Sequence, residues 1–201
     1  VKKFDFNKTY RLENDRVLLR PLTENDSKYL LSFSENEPEL WTYSLLPANG
    51  KDNLKKYISI ALENKEDETS YPFIVFDKQT NQYAGSTRFY DIQPYHETLQ
   101  LGYTWYGKAF QGTGLNTNCK FLLLEFAFDV MHVKRVEFRA DANNARSIAA
   151  MKCIGCTVEG ILRSNCKSPT DRRDSIVLSI LKTEWDSEIK KNLALQLLKS
   201  I

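Results

Sequence analysis

Runs in which hydrophobic and polar positions alternate, or apolar positions cluster between turn residues, fall at about 16–20, 72–77, 82–91, 98–106, 134–140, 157–162 and 174–182. Each predicts a strand. In Arg135-Val136-Glu137-Phe138-Arg139-Ala140 the alternation is regular, so Val136, Phe138 and Ala140 share one face. Ser175-Ile176-Val177-Leu178-Ser179-Ile180-Leu181 is apolar on both faces for much of its length, the pattern of a central or covered strand. After Gly114 the period changes. Leu115, Cys119, Leu122, Leu123, Phe126 and Val130 recur at steps of three and four, forming the apolar stripe of a helix. A second helix is predicted from Asn143 or Asn144 to Gly155, a helix-ending glycine. Asp26, Leu30 and Phe33 mark an earlier helix, 51–64 another, and the charged stretch 63–68 reads as a solvated loop. A last helix follows Thr183 as its cap, with Trp185, Ile189, Leu193 and Leu197 at four-residue steps.

The resulting order is strand, two helices, three strands, helix, strand, helix, two strands, helix. Short turns between the three successive strands imply antiparallel pairing, and the later strand–helix–strand units imply some parallel pairing. The expected fold is α/β (α+β): a mixed, mostly antiparallel sheet of about seven strands with helices on both faces. Its 201 residues suit a single domain able to bury a core without staples. Hydrophobic residues at 42% and charged residues at 27% exclude a disordered chain. The 28 Lys plus Arg against 26 Asp plus Glu leave a net charge of +2, which argues against a nucleic-acid partner. No apolar run reaches the length of a membrane span, and Val1-Lys2-Lys3-Phe4-Asp5 carries no apolar leader, so a cytoplasmic protein without membrane contact is expected. Cys153-Ile154-Gly155-Cys156 has no second cysteine pair at zinc spacing, and His96 and His132 fit no ligand pattern. Cys119, Cys153, Cys156 and Cys166 are therefore read as buried or semi-buried thiols, with no metal.

The segment most charged with chemistry is Leu99 through Asn116: a strand, a short loop containing Gly107, Gly112 and Gly114, and the start of an amphipathic helix. Glycines let the backbone approach an anion closely, and free N–H groups at the helix start offer partial positive charge to a pyrophosphate. A dinucleotide-binding turn is the rival reading. Thr117 occupies the place of its third glycine, however, and the glycines lie several residues beyond the strand end.

Gln111-Gly112-Thr113-Gly114-Leu115-Asn116-Thr117 resembles the acetyl-CoA pyrophosphate loop of the GNAT acetyltransferase superfamily, whose pattern is Gln or Arg, two residues, Gly, any residue, Gly or Ala. Four further segments resemble the same family in order. They are Arg16-Val17-Leu18-Leu19-Arg20-Pro21-Leu22, Tyr83-Ala84-Gly85-Ser86-Thr87-Arg88-Phe89, the helix start Asp141-Ala142-Asn143-Asn144-Ala145-Arg146-Ser147, and Cys153-Ile154-Gly155-Cys156 through Glu159-Gly160-Ile161-Leu162-Arg163. Together they span about residues 12–185, and the branch most resembled is that of the ribosomal-protein N-terminal acetyltransferases. The resemblance implies a sheet whose central pair splays to admit the pantetheine arm. It further implies that Tyr103, Thr104 and Trp105 offer backbone groups to that arm. Gln111, Gly112, Thr113, Gly114, Leu115 and Asn116 should hold the pyrophosphate, and Asn143 and Ser147 should face the pantetheine and thioester. Asn116 stands where the family prefers Gly or Ala. Gln100 stands where many relatives carry a glutamate, so it cannot be an anionic base.

The resemblance further implies an acetyl-CoA-dependent N-acetyltransferase whose amine attacks the thioester directly, with acetyl-CoA as cosubstrate. The expected acceptor is a protein N-terminus, such as that of a ribosomal protein. A small amine (polyamine, amino sugar or antibiotic) and a catalytically silent acyl-CoA-binding module are the alternatives. The acceptor would be read by the loops around 41–50 and 90–98, in a monomer or homodimer. An α-amine, with a pKa near 8, needs less help from a base than a lysine near 10.4. Ser147 is the candidate proton donor to the leaving thiolate, against a role as helix cap. Glu159 is the candidate base, against a cross-strand ion pair with an arginine. Tyr103, Trp105 and Tyr106 either line the acceptor channel or pack the sheet.

Overall fold

The computed structural model describes residues 4–168 and 171–199, so residues 1–3 of the leaderless opening and residues 200–201 of the C-terminal helical segment lie outside it. Its elements are β1 (Leu12–Glu13), β2 (Val17–Pro21), α1 (Ser27–Asn36), α2 (Lys51–Glu66), β3 (Ser70–Asp77), β4 (Gln82–Gln93), β5 (Thr98–Tyr106) and α3 (Leu115–Glu125). They continue with β6 (Arg135–Asp141), α4 (Ala145–Cys153), β7 (Thr157–Lys167), β8 (Arg172–Leu181), α5 (Lys182–Glu184) and α6 (Lys190–Lys199). The two-residue β1 is too short to leave a periodic signature. It pairs with β2 and brings the sheet to eight strands in the order β1-β2-β3-β4-β5-β6-β8-β7.

Three expectations need correction. Residues 63–66 belong to α2, and only the turn beyond Glu66 is loop. Thr183 lies inside α5 and does not cap it: the N–H of Leu181 donates instead to Glu184 Oε2 at 2.9 Å. Cys153 is exposed, while Cys119 and Cys156 are buried. Two helices also widen into π-turns, Phe126–Val130 after α3 and Trp185–Ile189 between α5 and α6. The second seats Trp185, fully buried, against Phe128 with ring centroids 5.5 Å apart.

Strand alternation divides the core between two faces. Leu99, Leu101, Val136, Phe138, Leu178 and Ile180 pack with α3, α4 and α6, whereas Ile74 and Trp105 pack with α1 and α2. α1 is anchored by the buried Asp26, which accepts from Arg20 at 2.7 and 2.9 Å and from the N–H of Thr23 at 2.8 Å. Burial pushes the Asp26 carboxyl up, but Arg20 and Thr23 more than offset it and hold the group below its ordinary value.

All neighbouring strands are antiparallel except β5 and β6. That parallel pair meets only through Thr98↔Arg135, Leu99↔Val136 and Gln100↔Glu137. Beyond these residues β5 runs on to Tyr106 and β6 to Asp141 unpaired with each other. The parting has a local cause. Tyr103 adopts a left-handed backbone (φ 49°), and the β4–β5 register shifts between Ser86 and Arg88, a bulge that bends β5 away.

Candidate functional site

The loop after β5 is shaped by Gly112 (φ 73°) and Gly114 (φ 83°), both in left-handed geometry that side-chain-bearing residues rarely adopt. Gly114 is the residue before α3, so the chain turns there directly into the helix. The amide groups of residues 112–117 donate to no backbone acceptor, and a Cβ placed on Gly112 would meet nothing within 4 Å. The result is an open cradle of N–H groups at a helix start, with the dipole of α3 behind it. The side chains around it are fixed. Gln111 Nε2 donates to the carbonyl of Tyr106 at 2.8 Å, and Arg146 Nη1 donates to Gln111 Oε1 at 2.5 Å. Thr113 Oγ1 donates to the carbonyl of Phe110 at 2.8 Å, and Asn118 Nδ2 donates to that of Gly114 at 3.0 Å. Leu115 is buried in the core, and Asn116 is half-buried on the first turn.

Asn143 lies in the turn before α4, its N–H held by Asp141 Oδ1 at 2.9 Å. The cap of α4 is Asn144, whose Oδ1 accepts from the N–H of Ser147 at 3.0 Å. The cap contact therefore uses the backbone of Ser147 and leaves its hydroxyl uncommitted. Arg146, on the same first turn, reaches Gln111, so the α4 start and the glycine loop are tied across the parted strands.

One buried charge in this region gave no sequence signal. Lys120, on α3, is 5% exposed, with Nζ donating to Thr104 Oγ1 at 2.8 Å and lying 5.7 Å from the Phe138 ring centroid. Thr104 belongs to β5 and Phe138 to β6, both just past the last paired residues, so this ammonium bridges the foot of the parting. Burial pushes its pKa down from 10.5 to about 8. The apolar stripe assigned one buried face to α3. In the fold Asn118, Lys120 and Leu124 are buried as well, because the helix is covered around most of its circumference.

On the opposite face, toward α2, lie Arg88, Tyr90, Gln100 and Tyr103. Gln100 Nε2 donates to Asp91 Oδ2 at 2.7 Å, while Gln100 Oε1 is buried without a partner. Trp105 is buried against Trp41 (4.9 Å between centroids), and Tyr106 is buried in the core; Tyr103 alone of the three is exposed, at 39%. Glu159 sits on the sheet's last strand, three strand spacings from β5, or roughly 14 Å of backbone. Arg135 engages both of its oxygens, and Ser179 Oγ donates to it at 2.6 Å. The hydrogen bonds from Arg135 and Ser179 hold the carboxyl below its ordinary value. No cluster of His, Cys, Asp or Glu suited to a metal occurs among the described residues, and no helix there is long and apolar enough to cross a membrane. Burial raises the Cys119 and Cys156 thiols to about 12.

The sequence profile of the acetyltransferase (GNAT) domain matches residues 16–157. The chain is similar to "Probable N-acetyltransferase YjcK" of Bacillus subtilis (strain 168), 26% identical over 178 residues that cover 86% of this chain and 98% of the relative. It is also similar to "Putative ribosomal N-acetyltransferase YdaF" of the same organism, 29% identical over 105 residues, 52% of this chain and 57% of that one. Among solved structures, an acetyltransferase from T. thermophilus superposes with a TM-score of 0.83 at 30% identity, covering 93% of this chain and 96% of that one. A GCN5-related N-acetyltransferase from Brucella melitensis shares the fold at 22% identity, with a TM-score of 0.87 over 98% of this chain and 90% of that one.

Proposed function

The chain belongs to the GNAT acetyltransferase family and is an acetyl-CoA-dependent N-acetyltransferase, and from that premise we propose that its acceptor is the α-amine of a protein or peptide N-terminus. The observation that carries this reading is the bare outer sheet. Residues 157–165 of β7 are exposed on both faces, beside a row of polar side chains, Arg135, Glu137 and Arg139, leading to the parting of β5 and β6. An extended peptide end can lie along such a surface, whereas a small amine has no need of it. The name of the YdaF relative points the same way.

The residues present suit the cosubstrate. The open N–H cradle over 112–117 fits a pyrophosphate, and the unpaired edge of β5 at Tyr103, Thr104 and Trp105 fits the amides of a pantetheine arm. Acetyl-CoA supplies an activated acyl carbon. Asn143 and Ser147, at the start of α4, face the arm in this reading, and the free hydroxyl of Ser147 hands a proton to the departing sulfur. The Lys120 ammonium places positive charge at the foot of the parting, where negative charge develops on the thiolate. An α-amine is largely deprotonated slightly above neutral pH, so no carboxylate base is needed. Glu159 is assigned a structural part, bracing β7 to β6 through Arg135.

The test is acetylation of an N-terminal peptide library with acetyl-CoA, read by mass spectrometry of the products and by thiol release. Acetylated peptide α-amines are expected. Turnover of polyamines or amino sugars with none of the peptides would replace this reading by the small-amine one.

A further inference from the structure

The buried cations of this sheet differ in one respect. Arg20 is paired with Asp26 at 2.7 Å and Arg16 with Asp77 at 3.1 Å, each against a carboxylate that is itself buried. Arg88, on β4, is only 2% exposed, yet among the described residues no carboxylate forms an ion pair with it, and its Nη2 is buried without any hydrogen-bond partner. The guanidinium lies between the rings of Tyr57 (4.9 Å) and Tyr103 (3.9 Å). Aromatic faces recover part of the lost hydration but accept few hydrogen bonds from five N–H donors. A permanently charged group kept out of water without an acceptor is costly unless something completes it.

What completes it has to come from outside, and the register shows from where. Arg88 stands opposite Gly102 and Tyr90 opposite Gln100, so Arg88 and Gln100 are diagonal neighbours on the face turned to α2, with Cβ atoms roughly 7 Å apart. Gln100 adds a second unsatisfied atom, the buried acceptor Oε1. Its Nε2 is engaged by Asp91 at 2.7 Å, which fixes the amide with that oxygen free. Gln100 is also the last β5 residue before the strands part, next to the place where an amine must meet the thioester. Tyr103, held over Arg88 by its left-handed backbone, is the exposed member of the group and lies at its entrance. The face thus presents an unpaired donor set and an unpaired acceptor, separated by the span of a small amino compound.

We propose that the acceptor carries its own carboxylate or phosphate close to the amine, that Arg88 binds this anion, and that Gln100 Oε1 accepts a hydrogen bond from the amine. The proposal rests on the acetyltransferase reading and deepens it. An N-terminal Asp or Glu and a free amino acid or phosphorylated amine share this chemistry, and the test separates these sources.

Matched pairs are offered to the wild-type enzyme with acetyl-CoA: peptides beginning Asp or Glu against Asn or Gln, amino acids against their amides, and a phosphorylated amine against its dephospho form. The anionic member is expected to show at least tenfold higher kcat/KM, in the peptide pairs for one source or the small-molecule pairs for the other. Arg88→Met should abolish the preference with acetyl-CoA affinity, measured by calorimetry, unchanged. Arg88→Lys, which keeps the charge, should retain part of it and covers the case in which the methionine variant fails to fold. Equal use of both members by the wild type, or a preference for the neutral one, overturns the proposal. If no pair is turned over, binding of each pair to the enzyme carrying a non-hydrolysable acetyl-CoA analogue decides in the same way: tighter anionic binding supports it, and equal or absent binding overturns it. Failure of the analogue itself to bind would count against the family reading of the loop instead.

Discussion

Lys120→Met should make the protein more stable at neutral pH. The wild-type ammonium is 5% exposed and has one hydrogen bond, to Thr104 Oγ1. Its pKa falls from 10.5 to about 8 because burial disfavours the charged form. At about 1.4 kcal/mol per unit, keeping that charge at pH 7 costs on the order of 3 kcal/mol. Methionine has a similar length and no charge, and Thr104 keeps its 2.7 Å contact with Thr87 Oγ1, so no hydroxyl is orphaned. Allowing roughly 1 kcal/mol for the lost hydrogen bond leaves a gain of about 2 kcal/mol, or roughly 4–8 °C in Tm for a chain of this size. The sign with pH is fixed by the direction of the shift. Between about 8 and 10.5 the unfolded chain binds more protons than the folded one, so wild-type stability rises with pH and the advantage of methionine shrinks. Urea unfolding of both proteins at pH 7 and pH 10 measures this. A destabilised variant at pH 7, or a gain of equal size at both pH values, would refute the reasoning.

Three other outcomes follow from the geometry. Gly114→Val should weaken acetyl-CoA binding at least tenfold by calorimetry on folded protein, since a β-branched residue is a true outlier at φ 83°; unchanged affinity would remove the loop from the site. Ser147→Ala should lower turnover by about 10² to 10⁴-fold with little change in acetyl-CoA affinity or melting, because the cap contact made by Asn144 uses the backbone N–H of Ser147; turnover within about threefold of wild type assigns the proton to another group. Asp26→Asn should cost about 3 kcal/mol at pH 7, because Arg20 loses its buried partner. As the folded Asp26 carboxyl lies below its ordinary value, that contribution is present above the usual carboxylate range and lost as pH falls through the folded value. Equal destabilisation by Asn across an acid titration of both proteins would contradict it.

The fold was legible wherever one face of an element is wet and the other dry. Val136, Phe138 and Ala140 alternate because β6 has a polar face bearing Glu137 and Arg139, and the helix start at Asn144 was marked by cap chemistry. Legibility failed where burial is nearly all-round. Lys120 reads as a surface charge in α3, yet the helix is enclosed on most sides. Arg88 and Gln100 gave no warning either, because their significance lies in partners they lack, which only the packed sheet displays. The glycine loop was readable because left-handed backbone at a strand–helix turn calls for glycine by local sterics alone. The competing roles of Glu159 depend on the order β6-β8-β7, which places it with Arg135 and which local sequence does not encode.

The three residue pairs joining β5 to β6 contrast with the eight joining β3 to β4. Mechanically the molecule is two half-sheets sewn by a short seam, with Lys120 and the Arg146–Gln111 bond as stitches beyond its end. A molecule lodged in the gap acts as a splint across that seam, lending each half the rigidity of the other. Occupancy and resistance to unfolding are then one equilibrium: at a hundredfold excess over Kd the splint adds about 2.7 kcal/mol. The enzyme is accordingly most fragile just after it has released its spent carrier, and the cellular supply of that carrier sets how long each copy survives between turnovers.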